Sequence, residues 1–311
     1  MSEGSVQRLA WDDLPQSVRS AARDALGSHV VGEIGQTGGF SPGLASRLRL
    51  ADGRWVFAKA INGDRNPTAP GLYRREAAVM SVLPDEVPAP ALVWTYDDDD
   101  WVMLVLEDVD GVMPGQPWDR VQLDSVIAAM ADLAAVRGAS ALPIPTPEED
   151  LADNFRSWAV LAEAEDMTVR LGMWERANLE RLVGLESLWV PAAEGDALVH
   201  ADLRADNMIL ADDRVTFVDW PYALAGVAWL DMVLFVPSAI ADGGVDAAEA
   251  WSRFPPAQDA DDDAVNAVLA AAAGDWTYQS LLPPPANVPS LRAHQREKAR
   301  AALTWLRTRI G

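Results

Sequence analysis

The segment Val199-His200-Ala201-Asp202-Leu203-Arg204-Ala205-Asp206-Asn207-Met208-Ile209-Leu210 packs two aspartates, an arginine, a histidine and an asparagine between apolar flanks. Twelve residues after Asn207, Phe217-Val218-Asp219-Trp220 puts a further aspartate at the end of an apolar run. A loop of this kind between two short strands has nothing obvious to gain in stability. Phosphoryl transfer needs such a set: a carboxylate to position a hydroxyl, and an Asn with an Asp to hold magnesium. The competing explanation is a plain hairpin loop whose polar residues match by chance.

The elements that must carry these residues can be placed from periodicity. Residues 12–27 read as a short helix, and 71–83 as a second, ended by Pro84, Pro88 and Pro90. Alternating runs at 45–50 and 55–61 flank Asp52-Gly53, a hairpin signal. Residues 92–96 and 101–106 form two more expected strands, joined by the solvated turn Asp97 to Asp100. From residue 122 onward the pattern is helical, over 122–137, 151–166 and 174–189. It is interrupted by short strands near 198–199, 208–210 and 215–218. Helices are expected again over 230–240, 246–254, 261–281 and 291–310. No internal repeat is visible. Asp, Gly and Pro cluster over 108–115, which places a boundary there: an N-terminal part, 1–108, and a C-terminal part, 109–311.

Composition narrows the function classes. The chain has 311 residues, 47 acidic against 25 basic, for a net charge of −22. Gripping duplex nucleic acid or an anionic membrane by bulk charge is therefore not expected. There is no cysteine, so disulfides, thiolate zinc sites and a cysteine nucleophile are excluded, and three histidines are too few to expect a histidine-only zinc site. Residues 1–16 lack a basic and apolar leader pattern, and no run of 18 apolar residues occurs, so a soluble cytoplasmic protein is expected. Of the 25 basic residues only Lys59 and Lys298 are lysines.

His200, Asp202, Asn207 and Asp219 fill the pattern H-x-D-x-x-x-x-N followed by a metal-binding Asp. In this the chain resembles the aminoglycoside phosphotransferase and choline kinase family of the protein-kinase-like fold. The resemblance implies an α+β, two-lobed architecture: an N-terminal nucleotide-binding lobe of antiparallel sheet with one helix, and a mainly helical C-terminal catalytic and substrate-binding lobe. It implies Asp202 as the residue that aligns the acceptor hydroxyl, with Asn207 and Asp219 as Mg²⁺ ligands. Lys59, in Trp55-Val56-Phe57-Ala58-Lys59-Ala60-Ile61, matches the lysine that binds the α- and β-phosphates of ATP or GTP, and Glu76 is its expected partner. Arg204 either neutralises charge on the transferred phosphoryl group or pairs with Asp206. His200 is expected to orient the loop, and Asp231 to brace it.

The phosphate-covering turn is less distinct. Gly38-Gly39-Phe40-Ser41-Pro42-Gly43 lies where it should, with Gly39 and Ser41 as contacts, but it is not G-x-G-x-x-G, and a plain turn is the alternative. Leu106-Glu107-Asp108-Val109 resembles the hinge whose backbone binds adenine, although the side chains of Glu107 and Asp108 could simply face solvent.

Three functions compete: a small-molecule kinase, a protein Ser/Thr or Tyr kinase, and a non-catalytic nucleotide-binding pseudokinase. Eleven residues separate Asp219 from Asp231, too few for a long peptide-docking activation segment, and no A-P-E-like run occurs there. All the expected catalytic groups are present. The expectation is therefore a kinase transferring the γ-phosphate to a small hydroxylated acceptor such as an aminoglycoside, amino sugar or related metabolite, with the net charge mildly favouring a cationic one.

Overall fold

The computed structural model describes residues 8–36, 42–212, 214–285 and 288–311. Gly39 and Ser41 lie outside them. The chain divides into two compact units. One comprises Met1–Val112, Ile209–Asp212 and Thr216–Pro221; the other comprises Met113–Met208, Asp213–Val215 and Tyr222–Gly311.

The first unit is built on a five-stranded antiparallel sheet of order β1-β2-β3-β5-β4, from β1 (Val30–Gly35), β2 (Leu44–Leu50), β3 (Trp55–Asn62), β4 (Leu92–Asp97) and β5 (Trp101–Glu107). Helix α1 (Gln16–Leu26) buries Val18, Ala22 and Leu26, spaced four apart on one face, and stops at Gly27 with φ 66°. These residues pack with Leu48, Val56, Met103 and Val105. Tyr73 of α2 (Ala69–Met80) packs with Ile61, Val102 and Leu104. Successive β5 side chains thus enter two different clusters, which explains why that strand reads as a continuous apolar run rather than an alternating one. Gly43 is required by close approach: a Cβ there would lie 2.3 Å from the Ala60 carbonyl oxygen.

Strand β1 was not legible in the sequence. Gly32, Glu33 and Gly35 break its pattern and Val31 and Ile34 are exposed, so pairing with β2 rather than burial holds it.

The second unit is mainly helical. Its helices are α3 (Arg120–Ala135), α4 (Pro147–Leu151), α5 (Ser157–Glu163), α6 (Glu165–Thr168), α7 (Met173–Ala177), α8 (Leu179–Glu186), α9 (Trp189–Ala193), α10 (Leu230–Asp242), α11 (Ala247–Ser252), α12 (Asp262–Leu281) and α13 (Leu291–Ile310). Its short strands are β6 (Ala197–Val199) and β9 (Leu224–Gly226), which pair; the two-stranded ribbon of β7 (Met208–Ala211) and β8 (Arg214–Phe217) contributes Ile209–Asp212 and Thr216–Phe217 to the first unit. From Val265 to Gly274 every residue of α12 is buried, as expected of a helix packed on all sides, here by α5, α8, α9 and α13.

The continuous helices expected over 151–166 and 174–189 are each broken into shorter pieces. One cause is a long-range cap. Buried Glu186 accepts hydrogen bonds from the amides of Trp158 (2.8 Å) and Ala159 (3.0 Å), satisfying the first turn of α5 from 28 residues away. A periodicity window cannot see such a partner.

Candidate active site

In the first unit, Lys59 sits on β3 opposite Leu104 of β5 and is 7% exposed. Its ammonium lies 2.5 Å from Glu76 Oε2 on α2 and 2.8 Å from Asp219 Oδ1, with the Tyr73 ring centroid 5.6 Å away. Burial alone would lower the Lys59 pKa, but the charges of Asp219 and Glu76 outweigh it and hold the group above its ordinary value. Glu76 is 1% exposed, and burial raises its carboxyl to about 7 despite the neighbouring ammonium. Asp219 has φ 70°, a backbone conformation unusual for a residue with a side chain. The following Trp220 is fully buried and donates from its indole N–H to the Phe217 carbonyl at 2.9 Å, anchoring the turn.

At the end of β5, Glu107 donates its amide to Ala91 at 2.8 Å, and its carboxylate accepts from the Ala91 amide at 3.3 Å. Asp108 does not simply face solvent: it forms a two-point pair with Arg47 of β2, both contacts at 2.7 Å. Val109 follows, half-buried. The Arg47 pair joins residues 61 apart and carries no sequence signal of its own.

In the second unit, β6 leads into the loop that carries Asp202. Asp231, in the first turn of α10 and 6% exposed, accepts from the amides of His200 and Ala201, each at 2.8 Å. Burial raises its pKa to about 6, against the effect of those two donors. Ala201 has φ 64°, so the bond from its amide to Asp231 helps hold a strained turn. The His200 ring, fully buried, accepts at Nδ1 from the Asp202 amide at 3.3 Å. The carboxamide of Asn207 donates to the Asp202 carbonyl oxygen (2.8 Å) and to Asp202 Oδ2 (3.2 Å). Both acceptors face the same nitrogen, which fixes the orientation of the amide and directs its oxygen elsewhere. Arg204 forms a two-point pair with Asp206 at 2.9 and 2.8 Å.

The geometry thus gathers Lys59, Glu76 and Asp219 in one unit, and Asp202, Arg204 and Asn207 in the other. Sequence reasoning missed Lys298. It is 7% exposed on α13, its ammonium is 4.2 Å from the Trp276 ring centroid, and the largest charge acting on it is that of Asp202. Its rarity was the one available signal.

Among the described residues no cluster of three or more His, Asp or Glu side chains could hold a metal unaided. One carboxylate and one carboxamide suit Mg²⁺, a hard cation that commonly takes one or two protein oxygens and completes its shell with phosphates and water.

The fold and these residues define a kinase-like phosphotransferase. The chain belongs to the phosphotransferase enzyme family, whose model matches residues 44–283. Three solved structures show the same fold. The choline kinase of Streptococcus pneumoniae aligns with a TM-score of 0.61 at 13% identity, over 94% of this chain and 99% of that one. A macrolide 2'-phosphotransferase from Brachybacterium faecium gives 0.56 at 18%, over 92% and 98%. An aminoglycoside phosphotransferase from Alicyclobacillus acidocaldarius gives 0.53 at 16%, over 90% and 92%. No curated protein matches the sequence significantly. Membership makes the chain a phosphotransferase with an alcohol group as acceptor, and a small-molecule kinase. Among the described residues no helix is long and apolar enough to cross a membrane.

Proposed function

We propose that this enzyme transfers the γ-phosphate of ATP or GTP to a hydroxyl of a small acceptor, such as an aminoglycoside, an amino sugar or a related metabolite. The observation that carries this reading is the buried Lys59 ammonium, fixed by Glu76 and Asp219 at 2.5 and 2.8 Å. A cation clamped by two carboxylates on rigid elements is preorganised for phosphate. It stays charged across the physiological range, and its flexible stem has already lost its freedom.

Lys59 binds the α- and β-phosphates, and Glu76 keeps it in place. Gly39 and Ser41 cover the phosphates, while the backbone around Glu107 and Val109 binds the base. Asn207 and Asp219 supply the carboxamide and carboxylate oxygens for Mg²⁺. When bound by these groups, Mg²⁺ offsets negative charge on the phosphates. Asp202 accepts a hydrogen bond from the acceptor hydroxyl and aligns its oxygen with the γ-phosphorus. The new O–P bond forms as the bond to the bridging β–γ oxygen breaks; the hydroxyl proton passes to Asp202, and the nucleoside diphosphate leaves. The transition state is loose, so positioning and electrostatics carry most of the rate. Arg204, already held along Asp206, lends local positive charge to the loop. Acidic surface charge steers a cationic acceptor inward without specifying a site. The protein works in the cytoplasm on small molecules, not on nucleic acid or membranes.

The test is nucleotide turnover with a panel of aminoglycosides and amino sugars, run beside generic protein substrates. Small-molecule phosphorylation is expected. Protein phosphorylation with no small-molecule turnover would overturn the reading in favour of a protein kinase.

A further inference from the structure

Helix α1 covers the sheet face that carries Val56, Ala58, Met103 and Val105. Lys59 alternates with Ala58 and Ala60 along β3 and so belongs to the opposite face. Between α1, the helical turn Trp11–Asp13 and the start of β1 lies a cavity of about 280 Å³, all of it within the first unit. That volume falls just below the roughly 300–1,000 Å³ of sites for drug-sized ligands, so its occupant is compact.

The chain carries a net charge of −22, yet this cavity is lined by Arg19, Arg23 and His29, and among the described residues no Asp or Glu lines it. Arg19 and Arg23 stand four residues apart on α1, so both guanidinium groups project from one helix face. Like charges at that spacing oppose helix formation unless an anion lies between them. Their present counter-charges do not fill this role. Arg19 gives one N–H to Asp12 at 2.9 Å, and Arg23 gives two to a single oxygen of Asp24, at 2.9 and 2.7 Å. Those aspartates are 89% and 68% exposed, where such pairs contribute little. A guanidinium has five N–H donors, so each arginine keeps donors to spare.

The walls are held in place from the sheet. The Trp11 amide donates to both carboxylate oxygens of Glu33, at 3.1 and 3.0 Å, and Glu33 also accepts from the Ser46 hydroxyl at 2.7 Å, so this nearby charge is already engaged. At the other end Arg54 donates to the Leu26 carbonyl at 2.6 Å, and the Ala51 amide donates to the His29 carbonyl at 2.9 Å. The Ser28 hydroxyl, which lines the cavity, accepts from the Asp52 amide at 3.2 Å and keeps its own proton for a ligand. Two planar forks with single donors from Ser28 and His29 suit the several oxygens of a tetrahedral dianion better than the two of a carboxylate. The Trp11 ring adds a flat apolar wall.

We propose that this cavity binds a small phosphomonoester, with the phosphate between Arg19 and Arg23 and the organic group against Trp11. The site is separate from the one that holds Lys59, Glu76 and Asp219, and it goes beyond the phosphoryl-transfer reading without depending on the identity of the acceptor.

The test is calorimetric titration of the whole protein with phenyl phosphate, with and without Mg²⁺ and a non-hydrolysable ATP analogue at saturation. One-to-one binding is expected in both conditions, because the analogue does not occupy this cavity. Arg19→Gln and Arg23→Gln should each weaken phenyl phosphate by about 10- to 100-fold, the worth of hydrogen bonds between charged groups. The unfolding temperature of the free variants should match the parent, since each loses only an exposed ion pair. Trp11→Leu should weaken phenyl phosphate more than inorganic phosphate, which a general loss of structure would not do. Benzoate and benzyl alcohol, which share the ring but not the dianion, should bind at least tenfold more weakly than phenyl phosphate. No binding at millimolar phenyl phosphate, binding abolished by the nucleotide analogue, equal affinity for benzoate, or full affinity in both arginine variants would each overturn the proposal.

Discussion

Replacing Asp231 with Asn sets two effects against each other. The carboxylate holds the His200 and Ala201 amides, each at 2.8 Å, and Ala201 sits at φ 64°. Asn keeps one acceptor oxygen and turns an NH₂ toward the other amide. The lost charge-assisted hydrogen bond costs about 1.5–3 kcal/mol, and the unmatched donor about 1–3 kcal/mol more. Against this, the buried carboxylate itself is costly. Its pKa rises from 3.8 to about 6, roughly two pH units, or about 3 kcal/mol by which ionisation at pH 7 disfavours folding. The two effects offset in large part, so stability at pH 7 should fall by no more than about 3 kcal/mol.

Activity has no such compensation. Releasing the Ala201 amide lets the Asp202 backbone shift, and a misplacement of about 1 Å can cost on the order of 100-fold in turnover. The pH dependence has a definite sign. The folded carboxyl holds its proton more tightly than the unfolded one, so its stabilising effect is full below about pH 4 and is lost as pH rises through about 6. Relative to the Asn variant, the parent should therefore lose about 2 kcal/mol of stability between pH 4.5 and pH 7. Urea unfolding at both pH values and steady-state kinetics measure this. Turnover within threefold of the parent, or a pH effect of opposite sign, would refute the reasoning.

Three further outcomes are expected. Asp202→Asn should nearly abolish phosphoryl transfer while the nucleotide Kd, measured by calorimetry, stays within about threefold, because the carboxylate positions the acceptor and not the nucleotide. Asp219→Ala should remove most of the magnesium enhancement of nucleotide binding; titrations with and without Mg²⁺ check it, and an unchanged enhancement would exclude Asp219 as a ligand. Gly274→Ala would place a Cβ 2.7 Å from Trp158 Cδ1, whose ring is pinned by its 2.8 Å hydrogen bond to the Ala270 carbonyl; a loss of about 1–3 kcal/mol in unfolding free energy is expected.

The sequence alone determined the elements with strong local signals. The hairpin at Asp52-Gly53 and the helices over 261–281 and 291–310 follow from turn chemistry and periodicity, and they appear as β2–β3, α12 and α13 with ends shifted by a residue or two. The residue types at His200, Asp202, Asn207 and Asp219 were legible because loop polarity and spacing are local properties. Tertiary structure decided what depends on distant partners. Glu186 caps the start of α5 from 28 residues away, and β1 exists through pairing with β2 rather than through its own pattern. Arg204 had two open roles in the sequence; the structure shows it paired with Asp206. Lys298 and Asp275 have no motif at all. They lie 23 residues apart on separate helices, and only the packing of α12 on α13 brings their charges within range of each other. Sequence periodicity reports which face of a helix is apolar; it carries no information on which charges from distant segments come near each other, because that is set by the distance between elements after they pack.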